Sequence, residues 1–334
     1  MRIAVIGAGS WGTSIAAVVA TNGPTVIWAR RPELVESLSA GVNPGYLPGV
    51  TFGPLEATTV LADAVEGADA LLVAVPSHGF RDVMVAAAPH VAPTVPILSL
   101  TKGLEQTTDL RMTQVLAEVL PRHDRRRLGV LSGPNLAREI AAGEPAATVV
   151  AIRDEPAAAA LQAAIMTPSF RVYTNNDVIG SEVAGTAKNV MAIAAGMVSG
   201  MGLGLNTTSA LVTRALAEIT RLGVALGGSP LTFGGLAGVG DLMATCLSTL
   251  SRNHRVGVEL AAGRSLGAIV AEMHMVAEGV KSTAPTLSLA KAHGVDLPIA
   301  TEVGRVLDGG DPRESMHRLM GRAARSEGHG IVGT

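Results

Sequence analysis

Along the first half of the chain, short and uninterrupted apolar runs alternate with stretches of helical periodicity. RIAVIG (2–7), TVIWAR (25–30), ALLVAV (70–75), PILSL (96–100), LGVLSG (128–133) and ATVVAI (147–152) predict strands, with a further strand over 169–175. Runs this short and this continuously apolar suit strands covered on both faces. Helical patterns lie between several of them, at 10–22, 78–89, 109–119 and 135–142. The alternation predicts an α/β fold built on a parallel, doubly wound sheet.

Beyond about residue 178 the pattern changes to helical throughout, over 180–199, 206–226, 253–262, 265–273, 276–293 and 298–307. The polar stretch 175–180 marks the boundary, giving domains 1–178 and 179–334. The second domain reads as all-helical. No internal repeat or low-complexity segment is present, and the tail from Arg322 is rich in glycine and charge.

The chain has 334 residues, 48% hydrophobic and 16% charged, enough for two buried cores. A formal net charge of −2 gives no reason to expect nucleic acid or a membrane surface as partner. The lone Cys246 excludes an intrachain disulfide and a thiolate metal cluster, and the eight histidines lack zinc spacing, so no metal is expected. Two stretches imitate membrane segments. The N-terminal run after Arg2 resembles a signal peptide, but Gly7, Gly9 and Gly12 break it. Residues 189–213 carry no charge, yet Gly196, Gly200, Gly202 and Gly204 interrupt them, and Asn206, Thr207, Thr208 and Ser209 follow. A buried helix, a loop and a capped second helix describe that stretch better than a membrane span.

Immediately after the first strand comes GAGSWG, with Gly7, Gly9 and Gly12 in the spacing G-x-G-x-x-G before a helix. The first glycine permits the tight turn, the second lets backbone approach a pyrophosphate, and the third lets helix pack on strand. This context predicts a Rossmann-type N-terminal domain that binds a dinucleotide. At the end of the second strand, where an NAD site usually carries an acid, the chain has Arg30 and Arg31. Two guanidinium groups suit a 2′-phosphate and point to NADP(H) over NAD(H); the other reading is solvated charge at a helix start. Lys102 in SLTKGLE (99–105) follows another strand, where it can reach a bound anion or carbonyl. LSGPNLA (131–137) has the same strand-to-helix form. His78 also lies at a strand end.

In AGTAKNVMAIAAG (184–196), Lys188 stands among small and apolar residues. It reads either as a boundary lysine that snorkels to water or as a general acid/base set in a dry site. GLAGVGDL (235–242) carries one carboxylate, Asp241. LSRNHR (250–255) places Ser251, Arg252 and Asn253 at a helix start, a suitable phosphate receptor or simply an N-cap beside a surface arginine.

GAGSWGT, SLTKGLE, LSGPN, AGTAKNVMAIAAG, GLAGVGDL and LSRNHRVG, in this order and spacing, resemble the bacterial NAD(P)-dependent glycerol-3-phosphate dehydrogenases from residue 1 to about residue 320. The resemblance implies interconversion of dihydroxyacetone phosphate and sn-glycerol 3-phosphate with NAD(P)H for phospholipid synthesis, by a cytoplasmic homodimer. It implies Lys188 as catalytic acid/base. Lys102, Gly133, Asn135, Lys188, Asp241, Ser251, Arg252 and Asn253 would contact the substrate. Ser10, Trp11, Arg30, Arg31, Lys102, Ala137, Arg252, Val276 and Glu278 would contact the cofactor. The pattern departs at Asn135, where many relatives carry serine or another small residue. Other readings are a ketopantoate reductase or 3-hydroxyacid dehydrogenase, whose substrates end in a carboxylate, and a non-catalytic NADP(H)-sensing protein.

Overall fold

The computed structural model describes residues 1–273, 277–324 and 326. By its internal contacts the chain divides into two compact units. Met1–Thr101 and Met112–Val178 form the first; Lys102–Arg111 joins the chain from Ile179 onward in the second.

The first unit is a sheet of β1 (Ile3–Ile6), β2 (Thr25–Trp28), β3 (Glu56–Thr58), β4 (Ala70–Val73), β5 (Ile97–Ser99), β6 (Leu128–Ser132), β7 (Ala146–Ala151) and β8 (Phe170–Asn175). Their order is β3-β2-β1-β4-β5-β6-β7-β8. Its helices are α1 (Ser10–Ala20), α2 (Pro32–Ser39), α3 (Leu61–Val65), α4 (Ser77–Ala87), α5 (Met112–Val119), α6 (Ala137–Ala141) and α7 (Glu155–Ile165). Every residue of β1 and β4 is buried, as expected of central strands covered on both faces. Ile6 pairs with Trp28 on one side and Val73 on the other, so β1, β2 and β4 finish level. The chain turns out of β1 at Gly7, where the strand order reverses.

Two features depart from the sequence expectation. β3 was not anticipated; it has three residues, one of them apolar, and gives no period-2 signal. The sheet is also not wholly parallel, because β7 runs antiparallel to β6. The connection holds only the five-residue α6, too little for the crossover a parallel return needs. β8 then pairs parallel to β7.

The second unit contains α8 (Val178–Gly200), α9 (Leu205–Ala225), α10 (Pro230–Phe233), α11 (Asp241–Leu247), α12 (Arg252–Ala261), α13 (Leu266–Glu272), α14 (Glu278–Ala292), α15 (Pro298–Leu307) and α16 (Pro312–Met320). A π-turn at Leu236–Gly240 runs into α11. The core gathers on α8, with Val190, Met191, Ile193 and Met197 packed among Leu242, Val256 and Ile299. Gly196 does not interrupt α8. A Cβ there would lie 2.0 Å from the His254 carbonyl, and one at Gly257 would lie 2.0 Å from the Ile193 carbonyl. These glycines let α8 and α12 cross at backbone contact, which brings residues 251–253 against α8. α9 starts at Gly204 with no side-chain cap, so the expected polar cap over 206–209 does not form. Among the described residues, no helix is long and apolar enough to cross a membrane.

Candidate active site

In the sheet unit, the glycine turn has the geometry its spacing demands. Gly7 stands at φ +109, and a Cβ on Gly12 would lie 1.9 Å from the Gly7 carbonyl, so only glycine permits this strand-to-helix packing. A Cβ on Gly9 would meet nothing within 4 Å, which leaves an open approach to backbone at the start of α1. No side chain caps α1. The indole N–H of Trp11 is buried with no hydrogen-bond partner, and its ring meets Phe170 edge-on at 6.4 Å. An open glycine, an uncapped helix start and an orphan donor fit the pyrophosphate of a dinucleotide.

The Ser10 hydroxyl donates to the Tyr46 carbonyl at 2.9 Å. Buried Asn43 donates to Thr13 Oγ1 at 2.7 Å and to the Ala8 carbonyl at 3.2 Å, holding the turn from outside the motif. Arg30 and Arg31 are both exposed just beyond β2, and the Arg31 guanidinium lies 5.9 Å from the Tyr46 ring centre. The Ala137 carbonyl accepts from Ser14 Oγ at 2.7 Å. Gly133 turns at φ +138. Asn135 donates to Thr148 Oγ1 at 3.0 Å, while its own Oδ1 is buried without a partner. His78 is exposed on α4.

The helical unit assembles the charged residues. Lys188 is 6% exposed and Asp241 only 1%. The Lys188 ammonium donates to Asp241 Oδ1 at 2.7 Å, and the Lys102 ammonium donates to Asp241 Oδ2 at 2.7 Å. One buried carboxylate therefore holds two amines on its opposite oxygens. Thr245, one turn along α11, contacts the Lys188 ammonium and donates to the Asp241 carbonyl at 2.7 Å. Burial lowers the Lys102 amine to about 8, against the attraction of Asp241; the neighbouring Lys188 pushes it the same way as burial. Beside Thr245, burial raises the Cys246 thiol to about 12, which removes it as a nucleophile.

Asparagines tie the cluster together. Asn189 Nδ2 donates to the Lys102 carbonyl at 2.9 Å, and Asn189 Oδ1 accepts from Asn253 Nδ2 at 2.9 Å. Asn253 Oδ1 in turn accepts from the Gly279 amide at 2.9 Å. Ser251 Oγ accepts from the His254 amide and so caps α12. The N-cap reading of Ser251 is thus realised in the structure, while the exposed Arg252 follows it in electrostatic reach of Glu278. Val276, expected at the cofactor, lies outside the described residues. A cavity of about 850 Å³ elsewhere in this unit, lined by Met197, Leu211, Arg214 and Met316 among others, contains none of these residues.

Sequence reasoning missed Asn43, Tyr46, Asn189 and Thr245 as members of these clusters. Only Thr245 carried a local signal, standing four residues after Asp241 on one helical face.

Residues 2–158 match the family described as NAD-dependent glycerol-3-phosphate dehydrogenase N-terminus, and residues 177–318 match its C-terminus. The chain belongs to the NAD-dependent glycerol-3-phosphate dehydrogenase family. It is 53% identical over 311 residues to a glycerol-3-phosphate dehydrogenase, NAD(P)+ type, of Sphingopyxis alaskensis, covering 92% of each chain. Its structure is similar to the crystal structure of glycerol-3-phosphate dehydrogenase from Coxiella burnetii, with a TM-score of 0.90 and 36% identity, covering 96% of this chain and 99% of that one. A ketopantoate reductase of Ralstonia eutropha matches with a TM-score of 0.57 and 16% identity, covering 96% of this chain and 100% of that one. That distant likeness shows the fold alone.

Proposed function

We propose that this protein interconverts dihydroxyacetone phosphate and sn-glycerol 3-phosphate with a nicotinamide cofactor, using Lys188 as acid/base. The observation that carries the reading is the pair of amines, Lys188 and Lys102, on the one buried carboxylate of Asp241. A protein that only sensed NADP(H) would have no use for such a cluster. Membership of the family sets the substrate class.

In the reductive direction the nicotinamide, when bound, supplies the hydride to the substrate carbonyl carbon. Lys188 donates a proton to the oxygen as alkoxide charge develops there. The deprotonated amine then recovers a proton from solvent. Asp241 fixes the direction of the Lys188 ammonium and Thr245 supports it. Lys102 adds a second positive group for the substrate. Arg252 and the first amides of α12 hold the phosphate, and Asn253 keeps that helix start against α8. Gly7, Gly9, Ser10, Trp11 and Gly12 would hold the dinucleotide, with Gly133, Asn135 and Ala137 completing the strand-end turns.

Arg30 and Arg31, standing at the end of β2 where an NAD site usually carries an acid, favour NADP(H) over NAD(H). The same reading takes the enzyme to be a cytoplasmic homodimer that feeds phospholipid synthesis. The test is direct. Purified protein is incubated with NADPH and dihydroxyacetone phosphate, and the nicotinamide absorbance is followed. Oxidation of the cofactor that depends on this ketone supports the reading. Activity on ketopantoate with none on dihydroxyacetone phosphate would reverse it.

A further inference from the structure

Lys102–Arg111 belongs to the helical unit, although the chain on both sides of it, ending at Thr101 and resuming at Met112, belongs to the sheet unit. The segment closes on itself. Leu104 forms a bridge with Arg111, the Glu105 amide donates to the Leu110 carbonyl at 3.0 Å, and the Asp109 amide donates to the Glu105 carbonyl at 2.9 Å. Asp109 turns the loop at φ 58, a left-handed conformation that aspartate tolerates.

α8 holds this loop at both ends. At its start, Asn189 donates to the Lys102 carbonyl at 2.9 Å. At its end, Arg111 Nη1 lies 2.6 Å from Glu182 Oε2. Asn189 and Glu182 stand seven residues apart, about two turns, so they share one face of α8. The Glu182 side chain is 1% exposed and that of Arg111 14%. Taking such a pair out of water costs about as much as the pairing returns, so its presence is poorly explained by stability. The best-attested use of buried ionic groups is to fix register. The register at stake here is that of a short loop whose first residue puts an ammonium on Asp241.

We propose that Arg111 and Glu182 are positioning residues: their pair locks the 102–111 loop on α8, so that the Lys102 ammonium is held on Asp241 beside Lys188. The proposal rests on the reading of Lys102 as a substrate-contacting residue given above. Arg111 suits the task because its planar fork defines a direction as well as a charge.

A double-mutant cycle with Lys102 tests it. Wild type, E182Q, K102A and E182Q/K102A are assayed for dihydroxyacetone phosphate reduction, with circular dichroism to check folding. E182Q is expected to lower kcat/KM for dihydroxyacetone phosphate about tenfold or more, with KM for NADPH within about twofold of wild type. In the K102A background E182Q is expected to change kcat/KM little, because its effect runs through Lys102. Should E182Q fail to fold, R111K takes its place in the cycle, keeping the charge and losing the fork. Equal losses with and without Lys102 would mean that the pair is merely structural and would overturn the proposal. A K102A enzyme as active as wild type would overturn it too, by removing its premise. A wild-type protein inactive on dihydroxyacetone phosphate would instead refute the proposed function, and is read before the cycle begins.

Discussion

Lys188 and Asp241 meet at 2.7 Å, fifty-three residues apart in sequence and both almost wholly buried. Lys102 takes the other carboxylate oxygen, so the one carboxylate of Asp241 serves two amines. D241N would remove the negative charge that both amines share in a dry site. Breaking a buried pair from one side typically costs about 3–5 kcal/mol, so D241N is expected to melt well below wild type and to lose most turnover. Adding K188M to D241N is expected to recover part of the stability, since one unpaired ammonium is gone, and none of the activity. Thermal unfolding and steady-state rates on the three proteins check this. A D241N enzyme as stable as wild type would show that the carboxylate does not compensate these amines.

The pH profile follows from Lys102. Burial sets its amine near 8, with Asp241 and Lys188 as the charged groups against it. Below that value it is charged and can attract an anionic or carbonyl oxygen; above it the attraction is lost. Thus kcat/KM for dihydroxyacetone phosphate is expected to fall as pH rises through about 8. The apparent value belongs to the coupled cluster, not to one residue. K102A should remove this limb while leaving turnover measurable. An alkaline limb unchanged in K102A would assign it elsewhere.

The proposed preference for NADP(H) rests on the exposed charge of Arg30 and Arg31 beyond β2. Replacing Arg30 and Arg31 together by alanine is expected to raise KM for NADPH on the order of tenfold to a hundredfold, the worth of one or two charged hydrogen bonds, while KM for NADH changes little. The effect should shrink as salt is added. Equal losses for the two cofactors would refute the 2′-phosphate reading.

Glu218, on α9, offers a stability test away from the site. It is 3% exposed and accepts from the amides of Ile299 and Ala300 at 2.8 and 3.4 Å, capping α15 from another helix. Burial raises its carboxyl to about 7, opposed first by those amides; Arg221 also lowers it and Asp296 raises it. The folded chain therefore holds a proton that the unfolded chain gives up near pH 4.5. This contribution is complete below about pH 4.5 and lost as pH rises to about 7. Relative to wild type, E218Q is expected to gain up to about 3 kcal/mol on going from pH 4.5 to pH 8. Denaturant melts across that range check it; a pH-independent difference would mean that Glu218 titrates at its ordinary value.

What the sequence disclosed and what it withheld follow from the range of the interactions. Gly7, Gly9 and Gly12 are legible because a turn, an open approach and a close packing contact are all decided within six residues. The buried strands and the helical second half are legible through their periods. β3 was missed because three residues on an edge carry no pattern. The reversal of β7 was missed because it depends on the shortness of α6. In the helical unit, Lys188, Asp241 and residues 251–253 stood out as isolated polar groups in apolar or glycine-rich surroundings. Their partners did not. Asn189 and Asn253 lie 64 residues apart, Arg111 and Glu182 lie 71 apart, and nothing local distinguishes these side chains from surface ones. Lys102, inside the first domain by sequence, clusters with the helical unit through the same long-range contacts.

The central claim is that the Lys188 amine exchanges the proton of the reaction. It is tested most directly by K188M, assayed for both NADPH binding and single-turnover reduction of dihydroxyacetone phosphate. NADPH is expected to bind as it does to wild type, while the rate of cofactor oxidation falls by about 10² to 10⁴, the range a general acid supplies. Wild-type turnover in a folded K188M enzyme would contradict it.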